Sequence, residues 1–375
     1  MFSAFDHAQM ARALRLAERG LYTTQPNPRV GCVVAAGAEI VGEGWHRRAG
    51  EAHAEVLALR AAGARARGAT AYVTLEPCGL HGRTPPCADA LIAAGVARVV
   101  AATEDVSQSA GAARERLRAA GVAVELGLMR DAARELNRGF FSRVERGRPW
   151  LRVKLAASLD GRTALANGAS KWITGAAARA DVQRWRARSS AILTGSGSVL
   201  ADDPALTVRP EQAGIDAARL GDDAARFRPL RVVLDGRLRT PPRARVVDAS
   251  APTLILHAPD ALPAPGGSGR AERVPVETSA GRLDLGAVLE RLAERGVNEL
   301  QVEAGPTLSG ALLAAGLVDE LLLYVAPVAL GDTARPLLAL PPLATLAARW
   351  SFEVVDRRRV GDDERVLLRP CKRSD

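Results

Sequence analysis

Lysine is almost missing from this chain of 375 residues: only Lys154, Lys171 and Lys372 occur, and arginine carries the rest of the positive charge. A guanidinium stays protonated at any working pH whereas an amine can lose its proton, so a lysine kept inside a motif, as Lys154 is, points to a need for that chemistry. Cysteine is scarce as well. Cys32, Cys78, Cys87 and Cys371 are too few and too scattered for a disulfide framework, which fits a reducing compartment. Aromatic residues make up 4%, which argues against the stacking platforms of single-stranded nucleic-acid grooves. No apolar run approaches the roughly 20 residues that span a bilayer, and Met1-Phe2-Ser3-Ala4-Phe5-Asp6 leads into an arginine-studded helix rather than a signal peptide. A cytoplasmic protein without membrane or nucleic-acid partners is expected.

What is present is an ordinary globular composition, 47% hydrophobic and 25% charged, in a chain longer than one core usually serves, so two domains are expected. The net charge of +9 is spread along helices in which arginine alternates with glutamate, as over 11–19, and reads as solvated faces. Two stretches carry chemistry. His53-Ala54-Glu55 and Glu76-Pro77-Cys78-Gly79-Leu80-His81-Gly82-Arg83-Thr84-Pro85-Pro86-Cys87 supply an imidazole and two thiolates, a set that selects zinc, and three protein ligands leave a fourth position for water. The metal lowers the pKa of that water, and Glu55, outside the ligand set, can move its proton to a leaving amine. Prolines before each cysteine place both thiols at or near helix starts, where the thiolate is favoured. On a regular helix His53 and Glu55 would point about 200° apart, so both serve one site only if the helix begins there. Two rivals are a nucleic-acid base deaminase with an accessory domain, whose cysteines would stand closer together, and a structural zinc module, whose fourth ligand would be Cys32.

Thr24-Gln25-Pro26-Asn27-Pro28-Arg29-Val30-Gly31-Cys32 and the two stretches above closely resemble the bifunctional deaminase/reductase family of riboflavin biosynthesis. The resemblance continues through Lys154-Leu155-Ala156-Ala157-Ser158-Leu159-Asp160-Gly161, Leu200-Ala201-Asp202-Asp203-Pro204-Ala205-Leu206-Thr207-Val208-Arg209 and Val302-Glu303-Ala304-Gly305-Pro306-Thr307-Leu308. It implies an α/β chain with a cytidine-deaminase-like domain over 1–147 and a dihydrofolate-reductase-like domain over 148–375. It also implies Zn2+ and NADPH as cofactors, a small phosphorylated pyrimidine as substrate, and a homo-oligomer. In the first domain it implies substrate contacts at Asn27, His46, Asp105 and Arg83, the last toward a phosphate. In the second it implies cofactor contacts at Ala156, Trp172, Ser198, Asp202, Gly305, Pro306, Thr307 and Leu308. Substrate contacts are implied at Ser170, Arg186, Leu206, Arg209 and Glu303, and Lys154 and Glu303 flank the carbon that receives hydride. The chain departs from the family pattern at Leu80, where a histidine is usual, and at Asp105-Val106-Ser107-Gln108, where Asp-Pro-Asn-Pro is usual. A weaker or altered deaminase is expected.

Periodicity predicts a helix over 5–20 closed by Gly20, a hairpin over 30–35 and 40–46, helices over 53–62, 87–94 and 112–120, and strands over 70–75, 98–102 and 122–126. That alternation predicts three layers, with ligands at the carboxyl ends of the strands. A single helix over 130–146 precedes a Gly/Pro break, where the domain boundary falls. The second half reads as strands from 150 and over 191–194, 230–235, 299–303, 320–325 and 365–368, with helices over 176–188, 285–295 and 308–315. A polar surface insertion covers 209–228, and the loop over 258–269 is expected to be mobile. No Gly-x-Gly-x-x-Gly follows the first of these strands, but Gly305-Pro306-Thr307-Leu308 joins a strand to a helix and frees amides for an anion.

Overall fold

The computed structural model describes residues 1–79, 86–107, 111–215, 228–262 and 270–371. It divides into two units, Met1–Gly147 and Arg148–Asp375.

In the first unit the strand β1 (Gly31–Ala36) has no solvent-facing side until its last residue, and its side chains alternate between two cores. Val33 and Ala35 pack with Met10, Ala13 and Leu14 of α1 (Ala4–Glu18). Cys32 and Val34 pack on the other face, with Ala54 and Ala58 of α2 (Ala54–Ala62), Leu91 of α3 (Cys87–Ala93) and Leu117 of α4 (Ala112–Ala119). A sheet buried on both faces between helices is the three-layer arrangement. The strands β2 (Glu39–Trp45), β3 (Thr70–Val73), β4 (Arg98–Ala101) and β5 (Ala123–Leu126) complete the sheet, in the order β2-β1-β3-β4-β5. β2, β1 and β3 are antiparallel neighbours; β3, β4 and β5 run parallel. Glycine decides how close α2 lies to β2. A Cβ on Gly42 would stand 2.2 Å from the Ala58 carbonyl oxygen, and one on Gly44 would stand 2.4 Å from that of Ala54.

Two expectations are corrected here. The helix over 130–146 is two, α5 (Arg130–Leu136) and α6 (Arg138–Arg146), broken at Asn137. The Asn137 amide is engaged elsewhere: its Oδ1 accepts from the Arg29 N–H (2.8 Å) and its Nδ2 donates to the Arg29 carbonyl (2.9 Å). Gly20 is not a left-handed cap; α1 ends at Glu18 with Arg19 as its C-cap, and Gly20 lies in the following turn, where Thr24 Oγ1 donates to its carbonyl.

The second unit is built on nine strands. In chain order its elements are β6 (Trp150–Ser158), β7 (Arg162–Ala164), α7 (Ala176–Arg188), β8 (Ala191–Gly195), α8 (Ser196–Asp202), α9 (Pro210–Ala213), β9 (Leu230–Leu234), β10 (Thr253–His257) and β11 (Glu272–Pro275). Then come β12 (Thr278–Ser279), β13 (Arg282–Leu283), α10 (Leu285–Glu294), β14 (Glu299–Val302), α11 (Pro306–Ala314), β15 (Glu320–Ala326), β16 (Arg335–Pro336), β17 (Phe352–Val360) and β18 (Asp363–Pro370). The large sheet runs β11-β10-β9-β8-β14-β6-β15-β18-β17, parallel as far as β15 and antiparallel after it. The sequence reading missed β17 because most of its residues are exposed, so its side chains carry no apolar period. It missed β10 because Leu254-Ile255-Leu256 is one short apolar run without alternation. Of the polar insertion, Pro210–Ala213 forms a short helix and 216–227 lie outside the described residues, as do 263–269 of the second loop.

Charge is buried in this unit. Arg152, fully enclosed, bonds Glu320 (3.0 Å) and Glu299 (3.1 Å) and stacks over Trp185, 4.5 Å from the ring centroid. Arg188 and Arg369 pair with the same two carboxylates. Farther along the sheet Arg231, also enclosed, donates to Thr253 Oγ1, to the Asp248 carboxylate and Ser250 hydroxyl, and to the carbonyls of Ala205, Arg245, Asp248 and Ala251. Among the described residues no helix is long and apolar enough to cross a membrane.

Candidate active sites

The first site forms where β2, α2 and α3 meet. His53 is the N-cap of α2, with extended backbone (φ −71°, ψ 163°), while Glu55 sits in the first turn. The helix therefore begins between the two side chains, as their joint use requires. His53 Nδ1 lies 3.2 Å from Cys87 Sγ and 3.6 Å from Cys78 Sγ, and the three ligand atoms lie within 4.8 Å of one another. Tetrahedral zinc with two sulfurs and a nitrogen has ligand–ligand edges of about 3.5 Å, so the donor set and its spacing fit that ion. Cys87 opens α3 as expected, but Cys78 does not begin a helix. It lies in the loop after β3, and its sulfur accepts the Cys87 backbone N–H (3.2 Å) from the start of α3. Cys78 thus gains by a hydrogen bond the help a helix start would have given it. Without metal the two thiols share one hydrogen bond: bonding from Cys87 lowers Cys78, whereas that bond and burial push Cys87 up. Bonding to Cys78 raises His53.

Glu55 is 3% exposed, and burial raises its carboxyl above the ordinary range, so it can carry a proton as well as take one. Asn27 and His46 form one wall. The His46 ring stands edge-on to His53 at 5.4 Å, its Nδ1 is 3.2 Å from the Ala52 carbonyl, and its Nε2 is 3.1 Å from Asn27 Nδ2. A carbonyl can only accept, so Nδ1 carries the proton and Nε2 accepts from the Asn27 amide. Burial lowers His46, which keeps the ring neutral. The Asp105 carboxylate accepts from the Ser107 N–H (2.9 Å) and Oγ (2.8 Å), so Ser107 turns back onto Asp105. Arg83, Leu80 and Gln108 lie outside the described residues. Cys32 is buried in the sheet and is not part of the metal-type group formed by His53, Cys78 and Cys87. That removes the motive for a structural site with Cys32 as fourth ligand.

The second site lies at the carboxyl ends of β6 and β14, under α7. Arg186 grips Glu303 with two bonds of 2.7 Å and donates to the Thr207 carbonyl (2.9 Å). Burial would raise Glu303, but the Arg186 guanidinium overrides it and holds the carboxyl at about 2. Arg186 is therefore no solvated charge. Lys154 is half-buried, and desolvation lowers its amine. Gly305 is the N-cap of α11, Pro306 its first residue, and Thr307 and Leu308 complete an open first turn. A Cβ on Gly305 would meet nothing within 4 Å, so an anion can approach these amides. Trp172 is 70% exposed, Ala156 and Ser198 are half-buried, and Asp202 ends α8 in solvent. Ser170 is half-buried and Arg209 is exposed, with its backbone N–H held by Gln183. Leu206 has its side chain packed into a core with Ile192 and Val233, so only its backbone can face a ligand.

The sequence reading missed Gln301, whose Nε2 donates to Glu303 Oε1 (2.8 Å), and Thr194, whose hydroxyl donates to the Glu303 carbonyl (2.8 Å). A signal for Gln301 existed: Glu299, Gln301 and Glu303 are polar at every second position of an otherwise apolar strand.

The family model described as "RibD C-terminal domain" matches residues 149–360, and that described as "Cytidine and deoxycytidylate deaminase zinc-binding region" matches residues 3–103. The chain is 52% identical to the riboflavin biosynthesis protein RibD of Escherichia coli, over 96% of this chain and 97% of that one. It is 45% identical to that of Haemophilus influenzae, over 98% of each. Among solved structures it is similar to Acinetobacter baumannii RibD (41% identity, 98% of this chain and 99% of that one, TM-score 0.89). It is also similar to a diaminohydroxyphosphoribosylaminopyrimidine deaminase/5-amino-6-(5-phosphoribosylamino)uracil reductase from Thermotoga maritima (31% identity, 98% and 99% coverage, TM-score 0.84).

Proposed function

Because the chain belongs to the RibD family of riboflavin biosynthesis proteins, we propose that its two sites act in sequence on one phosphorylated ribosylaminopyrimidine. It is a bifunctional enzyme, a zinc-dependent deaminase and an NADPH-dependent reductase, with a cytidine-deaminase-like fold followed by a dihydrofolate-reductase-like fold. In our reading residues 1–147 hydrolyse the exocyclic 2-amino group of the diaminohydroxypyrimidine to a carbonyl, with release of ammonia. Residues 148–375 then reduce the ribosyl group to ribityl.

His53, Cys78 and Cys87 would hold the zinc, which supplies Lewis-acid activation of water at neutral pH. Glu55 takes a proton from that water and returns it to the departing amine; its burial favours this alternation. With its amide nitrogen committed to His46, Asn27 has its Oδ1 free to accept from the pyrimidine, and Asp105 and Arg83 hold the rest of the substrate. In the second site NADPH supplies hydride, with its phosphates at Gly305, Pro306, Thr307 and Leu308 and further contacts at Ala156, Trp172, Ser198 and Asp202. Arg186, Arg209, Ser170 and the Leu206 backbone hold the substrate. Lys154 and Glu303 place a proton donor and an anion beside the ring-opened imine carbon that is reduced. A homo-oligomer working in the cytoplasm completes the reading; the four thiols, none in a disulfide, suit a reducing compartment.

The observation that carries the proposal is the convergence of His53, Cys78 and Cys87 beside a buried Glu55. The test is incubation of the purified protein with the diaminopyrimidine phosphate, with and without NADPH, and mass analysis. Loss of the amine as carbonyl without NADPH, and a further gain of two hydrogens with it, is the expected result. Reduction before deamination would overturn the order.

A further inference from the structure

β14 is buried along its length, yet Glu299 and Gln301 on it and Glu303 just after it are polar. Alternate residues of a strand share a face, and this face lies under α7, since Glu299 pairs with Arg188 and Glu303 with Arg186. At one end of the row stands the enclosed cluster of Arg152, Glu299 and Glu320; at the other stands the reductase site. Gln301, with no solvent exposure, lies between them. Its Nε2 donates to Glu303 Oε1 at 2.8 Å. Its Oε1 has no hydrogen-bond partner among the described residues, and neither has Nη1 of Arg152.

The two atoms are an acceptor and a donor, but they are not bonded to each other. Gln301 and Arg152 are register partners on neighbouring parallel strands, about 4.8 Å apart with side chains on the same face. An amide has one acceptor end and one donor end, so the bond from its nitrogen to the Glu303 carboxylate fixes which way round it lies. Around Glu303 the other facing groups are Lys154 from β6, Arg186 from α7, and Tyr324 of β15, whose hydroxyl donates to Asp181 of α7. None of these lies on β14.

We propose that Gln301 is a positioning residue of the reductase, holding the Glu303 carboxylate in place by its amide N–H. The proposal rests on the reading of Glu303 as a reductase residue. Gln301's bond is among those that keep Glu303 ionised, which gives the test a signature that packing alone would not produce.

The test uses the full-length, zinc-loaded protein, with the deaminated pyrimidine and NADPH as substrates. Gln301→Met keeps the volume and removes the amide; kcat of reduction should fall on the order of tenfold, the worth of one hydrogen bond to a charged group. NADPH affinity and the deaminase rate should not change. Gln301→Glu keeps size and polarity but donates only when protonated, so its deficit relative to wild type should be large at pH 8 and shrink toward pH 6. This second variant decides the matter if Gln301→Met does not fold. A folded Gln301→Met enzyme with wild-type kcat, or a Gln301→Glu deficit that is the same at both pH values, overturns the proposal. Glu303→Gln separates the premise from the inference: full reduction by that variant refutes the role given to Glu303, whereas its failure beside an unaffected Gln301→Met refutes only the role given to Gln301.

Discussion

In the proposed reading the chemistry turns on Glu55 and Lys154, and both were singled out by local pattern. One is a carboxylate beside a metal-ligand histidine; the other is a rare lysine inside a motif. Glu55→Gln should leave zinc bound but lower deamination by about 10²- to 10⁴-fold, the usual worth of a general acid–base group. Metal analysis together with ammonia release checks both halves of that statement. Lys154→Arg should impair reduction and spare deamination, because a permanently charged guanidinium replaces an amine whose burial favours loss of its proton. NADPH oxidation by the variant, with its deaminase rate as control, is the measurement. Glu303 makes a different prediction. Its pKa falls from 4.5 to about 2 on folding, so its contribution to stability is present above about pH 4.5 and is lost as the pH drops toward 2. Urea unfolding between pH 5 and 2.5 should show wild type losing more stability than Glu303→Gln. What single residues did not disclose was pairing. That Asn27 spends its amide on His46, or that Arg186 is locked to Glu303, depends on residues 19 and 117 positions apart, and no local pattern encodes such distances.

At the scale of elements, helices and strands that bury one apolar stripe were legible, and those governed by something else were not. α10 falls within a residue of its predicted span because Val288, Leu289 and Leu292 repeat at helical spacing on its buried side. The break at Asn137 was hidden because its cause is the backbone of Arg29, far away in sequence. β17 was hidden because an exposed strand is specified by backbone pairing with β18 rather than by side-chain period. The close approach of α2 to β2 was invisible for a related reason: glycine reads as a turn until a neighbour's carbonyl is seen above it. Since α2 carries His53 and Glu55, that approach sets the first site. Gly44→Ala should push α2 outward, cost about 1 to 3 kcal/mol as overpacking does, and weaken zinc retention. Thermal unfolding and zinc content would check this, and a variant with unchanged zinc would show that the helix start is held from elsewhere.

For the molecule as a whole, two families of motif announced two activities, and each unit carries its own core and its own site. Chelation of zinc should therefore abolish deamination while leaving reduction of supplied deaminated pyrimidine intact, read as NADPH oxidation before and after treatment with a chelator. The sequence reading conveyed nothing of how rigidity is distributed over such a chain, since coil and order are easily equated. Arg231 shows that they differ. The segment from Ala244 to Pro252 has only one short 3-10 turn, Arg245–Val247, yet three of its carbonyls and two of its side chains converge on one enclosed guanidinium. Opening any part of that coil would strand a buried cation. Its slowly exchanging amides should therefore follow those of β9 and β10 as one cooperative unit in hydrogen–deuterium exchange, a loop that keeps the clock of a strand.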